Sequence, residues 1–277
     1  MVVGIVGLGL IGASLAKAFK YSEKVTVLGE DKINSVLEIA LISEIIDGKL
    51  TDSISECDYI FIAVDANSVV QWLKENADKI KKNAVVTDCC GVKEIVCDKC
   101  FDIAKEHGFI FIGGHPMAGT QFSGIKNSKY DMFHGANMVL VPKKDEDIRV
   151  LDNLKQVLML AGFQSISITT AKKHDEIIAF TSQLAHIVSN AYVKSPNAKF
   201  HKGFSAGSYK DLTRVAWLNE TMWANLFLQN SKNISFELEN IIEELKKYKN
   251  AIDNADFDTL KELLKEGREC KERCDKL

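Results

Sequence analysis

Gly7-Leu8-Gly9-Leu10-Ile11-Gly12 has the spacing G-x-G-x-x-G. Between a strand and a helix, the first glycine permits a tight turn and the second lets a pyrophosphate approach the backbone. The third lets helix and strand pack closely. The free N–H groups of the first helical turn, on Leu10, Ile11 and Gly12, then face the phosphates. Glu30 and Asp31 follow the next strand-like run, about 20 residues past the motif. A carboxylate there accepts hydrogen bonds from both ribose hydroxyls and repels a 2′-phosphate, so the pattern predicts NAD rather than NADP. Asp31 is preferred as the ribose ligand, and Glu30 is the alternative.

A hydride acceptor alone does not define a reaction. The second group of chemically able residues is Gly113-Gly114-His115-Pro116-Met117-Ala118-Gly119-Thr120, directly after the apolar run Phe109–Ile112. Ligands of open α/β sheets bind at the carboxyl ends of strands, which puts His115 beside any nicotinamide. An imidazole of near-neutral pKa can accept the proton of an alcohol that is losing hydride. Thr87-Asp88-Cys89-Cys90-Gly91-Val92-Lys93 also follows a strand and belongs to the same edge. Further along, His186 lies in a helical segment and Arg214 in Tyr209-Lys210-Asp211-Leu212-Thr213-Arg214. Spacing alone gives these two no role. Trp217 and Trp223 are expected in the core.

The elements that must position these groups change character along the chain. Up to Val141, short β-branched runs (Val2–Val6, Val25–Leu28, Tyr59–Val64, Ala84–Thr87, Phe109–Ile112, Met138–Val141) alternate with helical segments. That order predicts a parallel sheet with right-handed crossovers. Ser165–Thr169 is the last strand candidate. Beyond Ala171 the pattern is helical: Asp175–Val193, Leu212–Asn230, Ile234–Ile252 and Phe257–Leu264. The expected fold is α/β, a Rossmann-type mostly parallel sheet domain over residues 1–170, followed by an all-α domain over 171–277. Composition agrees, since 277 residues suit about two domains of roughly 150 each. With 46% apolar and 26% charged residues and a net charge of −3, the chain is neither disordered nor a basic nucleic-acid binder. Seven cysteines, an odd number, do not read as a secreted disulfide framework. The pair Cys97-x-x-Cys100 lacks a second pair at zinc-binding distance, so no metal is expected. Val2–Ala16 is uncharged, but no basic residue precedes it, glycines interrupt it, and it is too short for a membrane span. A cytoplasmic protein without a membrane partner is expected.

Together these segments resemble the prephenate dehydrogenase family, which includes arogenate dehydrogenases. The matching stretches are GLGLIGASLAKAF, TDCCGVK, GGHPMAGTQFSG, the helix around SQLAH, and GSYKDLTRVA, in the family's order. The resemblance implies a Rossmann-type domain followed by a helical dimerisation domain, hence a homodimer. It also implies NAD-dependent oxidative decarboxylation of prephenate to 4-hydroxyphenylpyruvate. Carried over by motif, His115 takes or orients the proton of the ring hydroxyl, and Arg214 pairs with a substrate carboxylate. His186 lines the substrate pocket, Thr120 and Gln121 sit at its edge, Lys210 lies beside the substrate, and Asp211 lies at the cofactor. Three positions depart from the family pattern. Gly91 stands where members often have serine, Gln183 stands where many have the first histidine of SHLPH, and Gln121 replaces an acidic residue of some members. A neutral residue at 121 offers nothing to the amino group of arogenate, which favours prephenate. The length leaves no room for an added regulatory domain or a fused mutase.

Two other functional classes are open to this sequence. One is a different Rossmann-plus-helical oxidoreductase, such as a β-hydroxyacid dehydrogenase or an imine reductase, which would not need the GGHPMAGT segment. The other is a non-catalytic dinucleotide-binding protein, suggested only by Gly91.

Overall fold

A computed structural model describes residues 1–22 and 25–276. The expected runs form the strands β1 (Val2–Val6), β2 (Thr26–Glu30), β4 (Tyr59–Ile62), β5 (Val85–Asp88), β6 (Ile110–Pro116), β7 (Asn137–Val141) and β8 (Ser165–Ile168), and a two-residue strand β3 (Gly48–Lys49), not expected from the sequence, adds to them. They build one eight-stranded sheet in the order β3-β2-β1-β4-β5-β6-β7-β8. The helices between them are α1 (Leu10–Tyr21), α2 (Asn34–Ile42), α3 (Ala66–Asn76), α4 (Glu94–His107) and α5 (Ile148–Leu160). The chain order reverses at β1, where β2 and β4 flank it, and the crevice above that point is the ligand position of such sheets.

Both faces of the sheet are covered, so the central strands are apolar on both sides. In β4, Phe61 packs with Phe19, Val3 and Ile5 on one face. Its neighbours Ile60 and Ile62 pack with Leu73, Val96, Cys97 and Cys100 on the other. Burying a large side chain of this kind contributes about 1.5–3 kcal/mol.

One strand differs from the predicted parallel arrangement in a way that matters. β7 runs antiparallel to β6, with His115 opposite Val139 and Gly113 opposite Val141. No helix lies between Pro116 and Asn137, only the 3-10 turn Ile125–Asn127, and an antiparallel partner needs no crossover helix. The parallel ladder between β5 and β6 ends at Ile112. The antiparallel ladder then carries β6 on through Pro116. His115 therefore sits on a strand extension, not in a loop.

After β8 the described elements are helical: α6 (Ala171–Ile178), a π-helical turn (Ala179–Leu184), α7 (Ala185–Tyr192), α8 (Gly207–Thr213), α9 (Glu220–Gln229), α10 (Ser231–Asp253) and α11 (Phe257–Cys274). The segment Leu212–Asn230, expected as one helix, is broken. Asn219 Oδ1 accepts the Met222 N–H at 2.9 Å and starts α9 afresh. The turn ahead of it is held by Asn190 Nδ2, which donates to the Ala216 carbonyl at 3.2 Å. That break lifts Trp217 out of the expected core to 78% exposure. α11 runs ten residues past the expected Leu264 to Cys274, with Arg268–Glu272 and Lys271–Asp275 pairs one turn apart along it.

Candidate active site

The glycine turn has the shape that a dinucleotide requires. Gly7 adopts φ +84°, and a Cβ there would stand 2.6 Å from Val64 Cγ1 and 2.8 Å from the Ala63 carbonyl oxygen. A Cβ on Gly12 would overlap the Gly7 carbonyl oxygen, whereas above Gly9 the space is open. α1 starts with Gly9 as its N-cap, with no side-chain cap and no acidic residue in its first turn. Its first intrahelical bond runs from the Ala13 N–H to the Gly9 carbonyl. The N–H groups of Leu10, Ile11 and Gly12 are thus the unpaired donors of a helix start, suited to an anion.

The two acidic candidates have different surroundings. Asp31 Oδ2 accepts the Leu8 N–H of the glycine turn at 2.8 Å, and Oδ1 accepts the Ile33 N–H at 2.9 Å. Its half-exposed carboxylate therefore stands against the turn. Glu30 instead receives the indole N–H of Trp72. Burial raises its pKa.

At the other side of the sheet edge, the ends of β5 and β6 are joined by buried charge. Asp88 closes β5, and its Oδ1 accepts the Gly114 N–H at 3.1 Å. Its Oδ2 accepts the Cys90 N–H at 2.9 Å and pairs with the Lys93 ammonium. Both side chains of this ion pair are fully excluded from solvent. Burial opposes the charge on Lys93, but Asp88 outweighs it and the pKa is raised.

His115 emerges from this frame half-buried, with Nδ1 2.9 Å from His174 Nε2. His174 Nδ1 in turn lies 2.6 Å from Asp175 Oδ1. Asp175 also accepts the N–H groups of Lys93 at 2.8 Å and Glu94 at 2.9 Å, so it caps α4 from α6. This chain of acceptors settles the tautomers of the neutral rings. A carboxylate can only accept, so His174 carries its proton on Nδ1. Its Nε2 then accepts, so His115 must donate from Nδ1. That leaves a lone pair on His115 Nε2, the nitrogen nearer Gly91, where a Cβ would stand 3.9 Å from it. Burial, then the neighbouring His174 and Lys93, hold the His115 pKa well below the ordinary imidazole value. A buried, neutral imidazole with a free lone pair can accept a proton from a hydroxyl group.

His186 is half-buried on α7, its Nδ1 donating to the Ser182 carbonyl at 2.8 Å. Its ring stacks on Trp223 of α9, with centroids 4.0 Å apart. Thr120 and Gln121 are exposed beyond β6, where the Thr120 hydroxyl bonds within its own turn to Phe122. Lys210, Asp211 and Arg214 are exposed on or just after α8, apart from the buried network. Gln183, fully buried in the π turn, accepts from Asn230 Nδ2 at 2.6 Å, and its own Nε2 has no partner among the described residues. A π turn inside a helix is frequent at functional sites.

Sequence reasoning missed His174, Asp175 and the Asp88–Lys93 pair. The Thr87–Lys93 segment was visible as part of the ligand edge. A His-Asp pair near the start of a helix reads as solvated, and only the packing of α6 on α4 buries it.

Residues 15–167 match the model of the prephenate dehydrogenase nucleotide-binding domain, and residues 170–266 that of the prephenate dehydrogenase dimerization domain. The chain belongs to the prephenate dehydrogenase family. It is 30% identical to a prephenate dehydrogenase of Lactococcus lactis, over 97% of this chain and 76% of that protein. Its fold superposes on the prephenate dehydrogenase of Aquifex aeolicus solved with hydroxyphenyl propionate and NAD+, with a TM-score of 0.84 and 28% identity. That match covers 99% of this chain and 98% of the other. The arogenate dehydrogenase of Synechocystis matches with a TM-score of 0.81 and 26% identity over 99% of each chain. This member of the family is thus a dehydrogenase built on an NAD-type fold.

Proposed function

We propose that this chain catalyses the NAD-dependent oxidative decarboxylation of prephenate to 4-hydroxyphenylpyruvate. The observation that carries the reading is the bare Nε2 of His115, held by the His174–Asp175 pair at the sheet edge that the glycine turn also serves. His115 takes the proton of the ring hydroxyl as the carbinol carbon loses its hydride. The bond from the ring to its carboxylate then breaks, carbon dioxide leaves, and the freed electron pair completes the aromatic ring. His115 returns its proton to the phenolate oxygen. Bound NAD+ supplies the hydride acceptor.

Arg214 pairs with a substrate carboxylate, and His186, Lys210, Thr120 and Gln121 contact the substrate. Gly7, Gly9, Leu10, Ile11 and Gly12 would hold the pyrophosphate and Asp31 the ribose, and Asp211 would contact the cofactor. Asp31 is chosen over Glu30 because it abuts the glycine turn, while Glu30 is occupied by Trp72. The two domains divide at residues 170 and 171. The helical one pairs two copies into a homodimer, consistent with the uncovered apolar side chains Ile242, Leu245 and Ile252 on α10. Among the described residues, no helix is long and apolar enough to cross a membrane.

Prephenate is favoured over arogenate because Gln121 brings no carboxylate to an amino group. The test is steady-state NADH formation with prephenate and arogenate side by side. Faster turnover of prephenate is expected. Faster turnover of arogenate would replace the substrate, and turnover of neither would remove the reaction.

A further inference from the structure

Three side chains of α9 face one way. Trp223, Leu226 and Phe227 are spaced at i, i+3 and i+4, and Asn230 follows one turn later on the same stripe. The stripe is pinned at both ends. Trp223 stacks on His186. Asn230 is buried and donates to the Asp175 carbonyl at 2.9 Å and to Gln183 Oε1 at 2.6 Å. Between these anchors, Leu226 is half-buried and set against Gly91. A Cβ on Gly91 would meet Leu226 Cδ1 at 3.2 Å, Leu226 Cδ2 at 3.5 Å and His115 Nε2 at 3.9 Å. One small space is therefore bounded by an isobutyl group and by the nitrogen whose lone pair is free.

The turn Cys89–Lys93 brings no ionisable partner to that space. Lys93 is buried with Asp88, and burial with the Asp88 charge keeps the Cys89 and Cys90 thiols protonated.

We propose that Leu226 and Gly91 form an apolar wall beside His115 Nε2 on which the substrate ring packs, so that contact with a ring, and not a hydrogen bond from position 91, orients the reacting hydroxyl. The inference deepens the dehydrogenase reading and rests on it. It makes Leu226 a specificity residue that favours cyclic substrates over small hydroxyacids, which would leave the wall uncovered.

The test compares Leu226→Ala, Gly91→Ser and the double variant, using prephenate and NAD+ with the full-length protein. Leu226→Ala is expected to raise the KM for prephenate about fiftyfold, as for three methylenes lost from an apolar pocket, with NADH affinity unchanged. Gly91→Ser alone crowds Leu226 and is expected to lower kcat/KM about fivefold. In the Leu226→Ala background the same serine has room and is expected to raise kcat/KM. A KM for Leu226→Ala within twofold of the parent, or a serine effect of the same sign and size in both backgrounds, overturns the proposal. If Leu226→Ala does not fold, Leu226→Val carries the test: loss of one methylene predicts a rise in KM of about fourfold. A parent enzyme that turns over neither prephenate nor arogenate defeats the functional reading itself. A parent that turns over with a silent Leu226 defeats only the wall.

Discussion

Replacing His174 by Phe tests the acceptor chain behind His115. The ring volume is nearly kept, so the buried site stays filled. Two hydrogen bonds are lost: the 2.9 Å contact with His115 Nδ1 and the 2.6 Å contact with Asp175. His115 Nδ1–H then has no acceptor, and a buried unsatisfied donor costs about 1–3 kcal/mol. The ring escapes that cost by moving its proton to Nε2, which removes the lone pair needed for catalysis. At about 1.4 kcal/mol per factor of ten, kcat is expected to fall roughly 5- to 150-fold. Burial, the largest cause of the lowered His115 pKa, remains. The assay is NADH formation with prephenate across a pH series, with NADH binding as the control for folding. A kcat within twofold of the parent would refute the tautomer argument.

Other perturbations separate the remaining roles. His115→Asn should lower kcat by about two orders of magnitude or more with NAD affinity little changed, and a mild loss would remove it as proton acceptor. Arg214→Gln should raise the KM for prephenate by roughly tenfold or more through loss of a charged hydrogen bond; a fall in kcat alone would speak against a carboxylate clamp. Asp31→Ala should weaken NAD binding and relax discrimination against NADP, and unchanged discrimination would move the ribose contact to Glu30. Stability should also depend on pH through His115. Its folded pKa is depressed, so below the unfolded value of about 6.5 the unfolded chain binds the extra proton. Its contribution to stability is then full above about pH 6.5 and declines on acidification towards the folded pKa. Urea titrations of parent and His115→Asn should diverge on that side, and parallel curves would contradict the sign.

The sheet and the cofactor turn were legible in the sequence because they rest on local pattern. β-Branched runs at regular spacing gave the strands, and Gly7, Gly9 and Gly12 fixed the turn by steric need. His115 was legible as a residue at the ligand edge, but its setting was not. The antiparallel pairing that carries β6 through Pro116 depends on β7, which joins from twenty-one residues beyond Pro116. The break before α9 was hidden because Val215, Ala216, Trp217 and Leu218 continue an apolar run, and only the Asn219 cap and the Asn190 contact end the helix there. His174 and Asp175 were hidden for a different reason. Two polar residues at a helix start look solvated until another helix is placed over them. The general lesson is that a strand end can be read from sequence, whereas the acceptors that set a tautomer come from long-range contacts.

Those contacts also explain why charge is buried here at all. An ion pair withdrawn from water returns little net stability, because desolvation offsets the attraction. The Asp88–Lys93 pair acts instead through direction. One Asp88 oxygen holds the N–H of Gly114, the residue before His115, and the other holds the N–H of Cys90, the residue before Gly91. A single carboxylate thus fixes the strand that carries the imidazole and the turn that faces it. Asp175 works from the opposite side, since it caps α4 through Lys93 and Glu94 while orienting the ring through His174. The imidazole is held by its backbone from the sheet and by its ring from the first helix beyond it. Proton transfer depends on alignment to fractions of an ångström. A site built this way should therefore lose rate before it loses fold when Asp175 is replaced by its amide, whereas Asp88→Asn strands the buried Lys93 charge and should also cost about 3–5 kcal/mol of stability.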